Sequence, residues 1–176
     1  MESNTKQVTI ETLRLTIRPL QREDVPSLAL LGTEEVFELL PEIETPFDAR
    51  AWVERKLERE EPNICHVVFI RKTKMPVGFI QANILAGQTD WELGVGYWFG
   101  QDHWGNGYAT ETLRAVLENL TKGETETAKI FPLYAHLHER NAPSIRVLEK
   151  CGFELEGPAP KIEGQEGMLR YKWIRD

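Results

Sequence analysis

The chain has 176 residues, of which 21 are Lys or Arg and 28 are Asp or Glu, so its net charge is −7. This acidic balance disfavours general nucleic-acid binding and attachment to anionic membranes, whereas it suits a cationic partner such as an amine. No apolar run approaches the roughly 20 residues of a membrane span and residues 1–7 are polar, so we expect a cytoplasmic protein without a signal peptide.

The first half of the chain predicts alternating strands and helices. Alternation of apolar and polar residues predicts the strands, and an acidic residue before an apolar stretch predicts each helix start. The predicted elements are a strand over 8–19, a helix capped by Asp24, a helical piece over 34–40, a helix capped by Asp48, and strands over 64–71, 76–85 and 90–99. No linker, repeat or low-complexity tract interrupts the chain, so we expect a single domain over residues 1–176.

The second half continues the same pattern. Apolar residues at helical spacing from Ala109 to Leu120 predict a long helix. A strand is predicted over 128–138, and Pro132 within it predicts a sheet edge or a bulge. Asn141 is predicted to cap a further helix. Two closing strands are expected near 153–157 and 167–175.

The strand over 90–99 leads into a glycine turn that opens the long helix. The first turn of a helix has N–H groups without an intrahelical partner and a partial positive charge, and both favour a bound phosphate. Gly105 and Gly107 lack a Cβ, so phosphate oxygens can approach the backbone closely. Tyr108 and Ala109 stand where a Walker A loop needs Lys and then Ser or Thr, and a dinucleotide fingerprint needs a third glycine. A plain strand-to-helix turn is the alternative interpretation.

Three ordered segments resemble one known family. The first is Thr-Leu-Arg-Leu-Thr-Ile-Arg-Pro-Leu over 12–20. The second contains Gly-Tyr-Trp over 96–98 and Trp-Gly-Asn-Gly-Tyr-Ala-Thr-Glu over 104–111. The third is Asn-Ala-Pro-Ser-Ile-Arg-Val-Leu-Glu-Lys-Cys-Gly-Phe over 141–153. Together they resemble the GNAT superfamily of N-acetyltransferases, in particular its RimJ/RimL-like branch, and the resemblance spans the whole chain.

The resemblance implies a fold, a reaction and a co-substrate. The fold would be α/β (α+β mixed), with a mostly antiparallel sheet flanked by helices. Its fourth and fifth predicted strands would splay apart to admit the pantetheine arm of CoA. The reaction would be direct transfer of an acetyl group from acetyl-CoA to an amine, and no metal is predicted.

The resemblance also assigns residues to acetyl-CoA. They are Tyr97, Trp98, Phe99 and Gly100 along the pantetheine and acetyl group, His103, Trp104, Gly105, Asn106, Gly107, Tyr108, Ala109 and Thr110 at the diphosphate, and Asn141 and Ser144 on the following helix. For the aromatic strand residues, simple core packing is the other interpretation, because so apolar a strand would be buried in any case. Asp102 departs from the family pattern, and its negative charge should repel a phosphate.

Candidate catalytic residues follow from the same segments. Many GNAT enzymes use a Tyr late in the third segment as general acid, but Leu148 stands there, so that role is not carried over. The Ser that RimL-type proteins are proposed to use corresponds to Ser144, which we expect to stabilise the departing thiolate by a hydrogen bond. For the general base, Glu92 shares a strand face with Gly96, and Glu111 is the second candidate. A relay through water needs neither carboxylate.

Three functions remain open at this stage. The favoured function is acetylation of a protein N-terminal α-amine, of the ribosomal-protein type. The alternatives are acetylation of a small-molecule amine (a polyamine, an amino acid or an aminoglycoside) and a non-catalytic acyl-CoA-binding module. Loops over 32–48 and 157–168 are expected to select the acceptor. The resemblance also predicts a homodimer, in which Trp173 would either join the interface or complete the core.

Overall fold

The computed structural model describes residues 8–58, 63–86, 91–122, 132–161 and 166–174. The strands are β1 (Ile10–Glu11), β2 (Leu15–Pro19), β3 (Asn63–Ile70), β4 (Pro76–Ala86), β5 (Trp91–Phe99), β6 (Leu133–His138), β7 (Phe153–Pro158) and β8 (Met168–Trp173). The α-helices in the described residues are α1 (Val25–Leu31), α2 (Glu34–Phe37), α3 (Ala49–Leu57), α4 (Tyr108–Lys122) and α5 (Ala142–Lys150). The strands form one sheet in the order β1-β2-β3-β4-β5-β6-β8-β7. The predicted mixed fold is confirmed.

Helices cover both faces of this sheet. One core cluster packs α4 and α5 against the sheet, and the other packs α1, α2 and α3 against its opposite face. Strand β5 contributes to both, because successive side chains of a strand point to opposite faces. Leu93, Val95 and Phe99 belong to the first cluster, while Trp98 belongs to the second. The apolar character of β5 therefore reflects its position between two covered faces.

The strand predicted over 8–19 is two strands instead of one. The backbone N–H of Thr12 donates to the carbonyl of Leu15 at 2.9 Å, and the N–H of Leu15 donates to the Thr12 hydroxyl at 2.9 Å. These bonds close a turn, so β1 folds back on β2 as an antiparallel pair. The alternation of apolar residues continues through the turn, which is why the sequence pattern missed it.

The two predicted acidic helix caps have different outcomes. Asp48 caps α3 as predicted, since its carboxylate accepts a hydrogen bond from the N–H of Ala51 at 3.0 Å. Asp24 precedes α1, but its side chain makes no cap bond to that helix. Its carboxylate is buried and binds Arg18 at 2.6 Å, and it also accepts from the N–H of Gln21. The ion pair occupies the oxygens that would otherwise cap the helix.

Strands β5 and β6 separate along their length. They are the parallel pair of the sheet, and their register contains only Leu93 with Leu133 and Gly94 with Tyr134. Strand β5 continues to Phe99, so five residues beyond Gly94 run without β6 beside them. The predicted splay between these strands is confirmed, and it leaves one edge of β5 open.

The prediction for Pro132 is wrong. Strand β6 lies inside the sheet, between β5 and β8. Pro132 precedes its first residue, and its carbonyl accepts the N–H of Leu93 at 2.9 Å. A missing N–H at that point breaks no bond within the ladder, so neither an edge nor a bulge is required. Residues 128–131 of the predicted strand lie outside the described residues.

Trp173 packs against the larger core cluster, and its indole N–H donates to the carbonyl of Cys151 at 3.1 Å. Of the two interpretations for this residue, completion of the core is the one that these contacts support. No helix among the described residues is long and apolar enough to cross a membrane.

Candidate active site

The glycine loop before α4 has a defined backbone conformation. Gly105 and Gly107 have φ of +76° and +77°, a region that favours glycine because L side chains meet backbone atoms there. The side-chain amide of Asn106 donates to the carbonyls of His103 and Trp104 at 3.1 and 3.2 Å, which holds the loop closed. A Cβ placed on Gly105 would meet nothing within 4 Å, so the space beside the loop is open.

Not every predicted amide of this loop is available for a phosphate. The N–H of His103 donates to Gly100 at 2.9 Å, and that of Trp104 donates to Gln101 at 3.1 Å, within a short 3₁₀ turn over Gln101–His103. The backbone N–H groups that could bind a phosphate are therefore those of residues 105–110, a shorter range than the predicted 103–110. Tyr108, Ala109 and Thr110 supply its helical part, as the first turn of α4.

Arg14 supports the loop from outside, and the sequence analysis missed it. One guanidinium N–H donates to the carbonyl of Asn106 at 2.9 Å, and another lies 3.5 Å from where a Cβ on Gly107 would stand. The guanidinium also lies 5.0 Å from the ring centre of Tyr108. No local signal could have found this contact, since Arg14 is 92 residues away from Asn106 in the chain.

The same contacts decide the environment of Glu111. Its carboxylate accepts from the Thr12 hydroxyl at 2.6 Å, from the Arg14 backbone N–H at 3.1 Å and from the Arg14 guanidinium at 2.7 Å. Burial raises the pKa of Glu111, but these hydrogen bonds together outweigh it, so the pKa is lowered. Glu111 is an anchor between α4 and the β1–β2 turn, and its low pKa makes it a poor proton acceptor.

A groove with a volume of about 580 Å³ lies along this end of α4. Arg14, Arg114 and Lys150 line it together with Gly107 and Thr110. Glu111, which pairs with Arg14, and Glu118 also line the groove, so its three cations exceed its carboxylates by one although the chain is acidic overall. A polyphosphate ligand at the loop would lie within their field, which is less screened at short range than the net charge of the protein.

At the splay, the structure brings Tyr97, Asn141 and Ser144 together. The Tyr97 hydroxyl donates to the carbonyl of Ser144 at 3.4 Å, across the opening between β5 and α5. The Asn141 side chain accepts the N–H of Ser144 at 3.2 Å and so caps α5, as predicted. Burial raises the pKa of Tyr97, and the hydrogen bond to Ser144 opposes this only in part. Tyr97 is therefore a neutral hydroxyl at neutral pH.

The other strand residues assigned to CoA have buried side chains. Trp98 packs edge-on against Phe37 with ring centres 5.2 Å apart, and Phe99 belongs to the opposite core cluster. The Gly100 N–H donates to Val77 at 3.0 Å. For Trp98 and Phe99 the core-packing interpretation therefore holds for the side chains, and only their backbone could face CoA.

Glu92 lies in a cluster of charges that the sequence did not predict. Its carboxylate pairs with Arg170 at 2.5 Å, and Arg170 also lies 2.9 Å from Glu156 and stacks 3.6 Å above the Tyr134 ring centre. Burial raises the pKa of Glu92, Arg170 lowers it and Glu156 raises it, and the net shift is upward. Because a strand rises about 3.3 Å per residue, Glu92 lies roughly 13 Å along β5 from Gly96.

Similar proteins identify the family. The family profile described as acetyltransferase (GNAT) domain matches residues 14–154. The chain belongs to the GNAT acetyltransferase family. It is 27% identical over 173 residues to the uncharacterized N-acetyltransferase p20 of Bacillus licheniformis, covering 92% of this chain and 90% of p20.

Solved GNAT structures have the same fold. An acetyltransferase from Bacillus anthracis superposes with a TM-score of 0.76 at 24% identity, covering 95% of this chain and 98% of that chain. RimL, a ribosomal L7/L12 α-N-protein acetyltransferase in complex with coenzyme A, superposes with a TM-score of 0.72 at 17% identity, covering 94% and 96%.

The GNAT fold binds acetyl-CoA or CoA, and the residues of this chain fit such a ligand. The glycine loop is open beside Gly105, the cations of the groove lie next to it, and the open edge of β5 leads from the loop into the sheet. Asp102 stays exposed in the 3₁₀ turn, on the part of the loop whose amides are already engaged. No group of three metal-ligating side chains occurs within the described ranges.

Proposed function

We propose that this GNAT acetyltransferase transfers an acetyl group from acetyl-CoA to a protein N-terminal α-amine. The observation that carries the proposal is the open edge that β5 has beyond Gly94, where β6 no longer pairs with it, on a strand that ends shortly before the glycine loop. The RimL neighbour, named as an α-N-protein acetyltransferase, supports this acceptor class. A small-molecule amine is the second candidate, because it would use the same open edge.

In this proposal the diphosphate of CoA binds the amides of residues 105–110, and Arg14 keeps the loop in shape. The pantetheine arm would pair with the open edge of β5 between Tyr97 and Gly100 and contact Asn141 on α5. Membership of an acetyltransferase family favours this function over a non-catalytic acyl-CoA-binding module.

The chemistry requires a neutral amine and a stabilised leaving group. Acetyl-CoA supplies a thioester, whose carbonyl carbon forms a bond to the amine nitrogen as its bond to sulfur breaks. Ser144 would donate a hydrogen bond toward the departing thiolate, which then takes up a proton. The neutral hydroxyl of Tyr97 would do the same only after it releases the Ser144 carbonyl to which it donates. Backbone donors on the open edge of β5 would hold the acetyl oxygen.

We propose Glu92 as the general base, acting through water. Its raised pKa brings it closer to a useful range than the lowered pKa of Glu111. The separation of roughly 13 Å along β5 from Gly96 calls for a chain of several hydrogen-bonded waters, since a single water joins groups only about 5–6 Å apart. A relay to bulk water without a carboxylate remains the alternative, because Arg170 holds Glu92 in an ion pair.

Calorimetric titration with acetyl-CoA, and in parallel with CoA, is the first test. Saturable binding, followed by CoA thiol release with an unblocked peptide, supports the proposal. Release with small amines but with no peptide favours the second candidate. No binding to the folded protein would refute the proposed co-substrate. Cytoplasmic location, the homodimer and the single domain over residues 1–176 remain predictions of the sequence.

A further inference from the structure

A small cavity opens beside Gly96 of β5, on the sheet face that α1, α2 and α3 cover. Its volume is about 50 Å³, enough for a few small atoms and too little for an aromatic ring. Its apolar walls are Leu40, Ile43, Trp52, Phe79 and Trp98. A Cβ on Gly96 would meet only Gln81, at 3.6 Å. The missing side chain of Gly96 therefore leaves the space of the cavity open beside β5.

Two opposite charges line the same cavity. Glu42 stands in the loop between α2 and α3, and Lys56 stands near the end of α3. The Lys56 ammonium donates to the Gln81 side chain at 2.5 Å and lies 5.2 Å from the Trp52 ring centre. Glu42 is exposed to solvent, so its carboxylate is accessible to an arriving ligand. An arriving cation would stabilise this carboxylate.

We infer that the cavity binds the acceptor, and that the acceptor is an α-amine with an adjacent carbonyl oxygen and a small side chain. Glu42 would bind the ammonium, Lys56 would bind the oxygen, and the apolar walls would enclose the side chain. The inference rests on the proposed function, and it narrows the acceptor to the amino-acid type. Peptide N-termini and free α-amino acids share this chemistry.

Position and charge both support this acceptor class. Gly96 lies on the strand whose open edge is proposed to hold the thioester, so an amine in the cavity would be next to the acetyl group. A polyamine or an aminoglycoside brings a second ammonium into a small site that already contains Lys56. Like charges brought together in this way disfavour binding, so the site would discriminate against polyamines and aminoglycosides.

The test compares acceptors by CoA thiol release. The panel contains a tetra-alanine peptide with a free N-terminus, a peptide beginning with Trp, free alanine and 1,4-diaminobutane. It also contains the tetra-alanine peptide N-terminally acetylated and carrying one Lys, which offers a side-chain amine and no α-amine. We expect kcat/KM for an α-amine to exceed that for the diamine by about tenfold or more. The kcat/KM for the Ala peptide should exceed that for the Trp peptide. Comparison of the Ala peptide with free alanine shows whether the acceptor is a peptide N-terminus or a free α-amino acid.

Three variants test the residues. Glu42→Gln should lower kcat/KM for the Ala peptide by about 10- to 100-fold, as expected for a lost charge-assisted hydrogen bond. Lys56→Met should reduce the preference for the Ala peptide over the diamine, because it removes the charge that disfavours a second ammonium. Gly96→Ala should raise KM, while the Kd for acetyl-CoA stays within about twofold. Glu44→Gln and Arg55→Met are matched controls, because these exposed neighbours pair with each other at 3.9 Å.

The outcomes separate this inference from the proposed function. Turnover of α-amines, with losses in the three variants and not in the controls, supports both. Turnover with the diamine preferred, or with Glu42→Gln and Gly96→Ala unchanged, refutes the inference and leaves an acetyltransferase of another amine. Binding of acetyl-CoA without thiol release for any amine refutes the proposed function and the inference with it.

Discussion

Replacing Gly107 with Ala tests whether the glycine loop is the CoA-binding element. Gly107 has φ of +77°, and the left-handed region costs a residue with a Cβ about 1–2 kcal/mol. The added Cβ would lie 3.5 Å from the Arg14 guanidinium, an ordinary contact, so strain of the backbone is the main effect. The loop is exposed and can relax in the free protein, so the cost appears when a ligand requires the original conformation. We therefore expect the Kd for acetyl-CoA to rise about 5- to 30-fold.

Calorimetry measures the Kd, and thermal unfolding checks that the variant is folded. Gly152→Ala is the matched control, because Gly152 has a similar φ of +85° just after α5 and its added Cβ would lie 3.4 Å from the Trp173 indole, again an ordinary contact. It should lower stability without changing the Kd. A Kd within about twofold of wild type for Gly107→Ala would show that the backbone conformation at this residue does not serve CoA binding.

Three further predictions address other residues. Arg14→Ala should raise the Kd for acetyl-CoA about 3- to 10-fold by releasing the carbonyl of Asn106, whereas Arg22→Ala, which removes an exposed pair with Glu54, should not. Equal effects in calorimetry would contradict the role of Arg14. Glu92→Gln should lower kcat. The acid limb of the wild-type pH profile should reflect a pKa of Glu92 above the usual value of about 4.3, and this limb should disappear in the variant. An identical limb in the variant would rule out Glu92 as the base. Burial lowers the pKa of His66, so this histidine binds a proton more readily in the unfolded chain than in the folded protein. The free energy of unfolding should therefore be highest above the unfolded pKa of about 6.5 and should fall as the pH decreases through that value. Denaturant titrations of His66→Gln should show a shallower fall, and an equal slope in both proteins would be evidence against this account.

Local patterns predicted the elements whose causes are local. Asn141 and Asp48 cap their helices through bonds to residues three positions ahead. The glycine loop depends on Gly105 and Gly107, whose φ values a short motif can encode. The splay between β5 and β6 came from the family resemblance, which combines three separate segments. The caps and the glycine loop could be predicted because each depends on residues close together in the chain.

Local patterns failed where a competing partner outside the pattern determined the structure. Asp24 looks like a helix cap, but Arg18 and the N–H of Gln21 take its oxygens. Glu111 looks like a free carboxylate beside a cleft, but Thr12 and Arg14 surround it. In each case the competing partner is a charged or polar group that pairs more strongly than the predicted one.

By itself, the sequence determined the glycine loop and the helix that follows it, because periodicity and backbone preference act within a few residues. It determined the fold class through the three segments that resemble one family. Tertiary structure decided which side chains meet: Arg14 with the loop, Arg170 with Glu92, and Glu42 and Lys56 with Gly96. Such pairs depend on strand order and register, which follow from packing of the whole sheet between its helices and from no single segment.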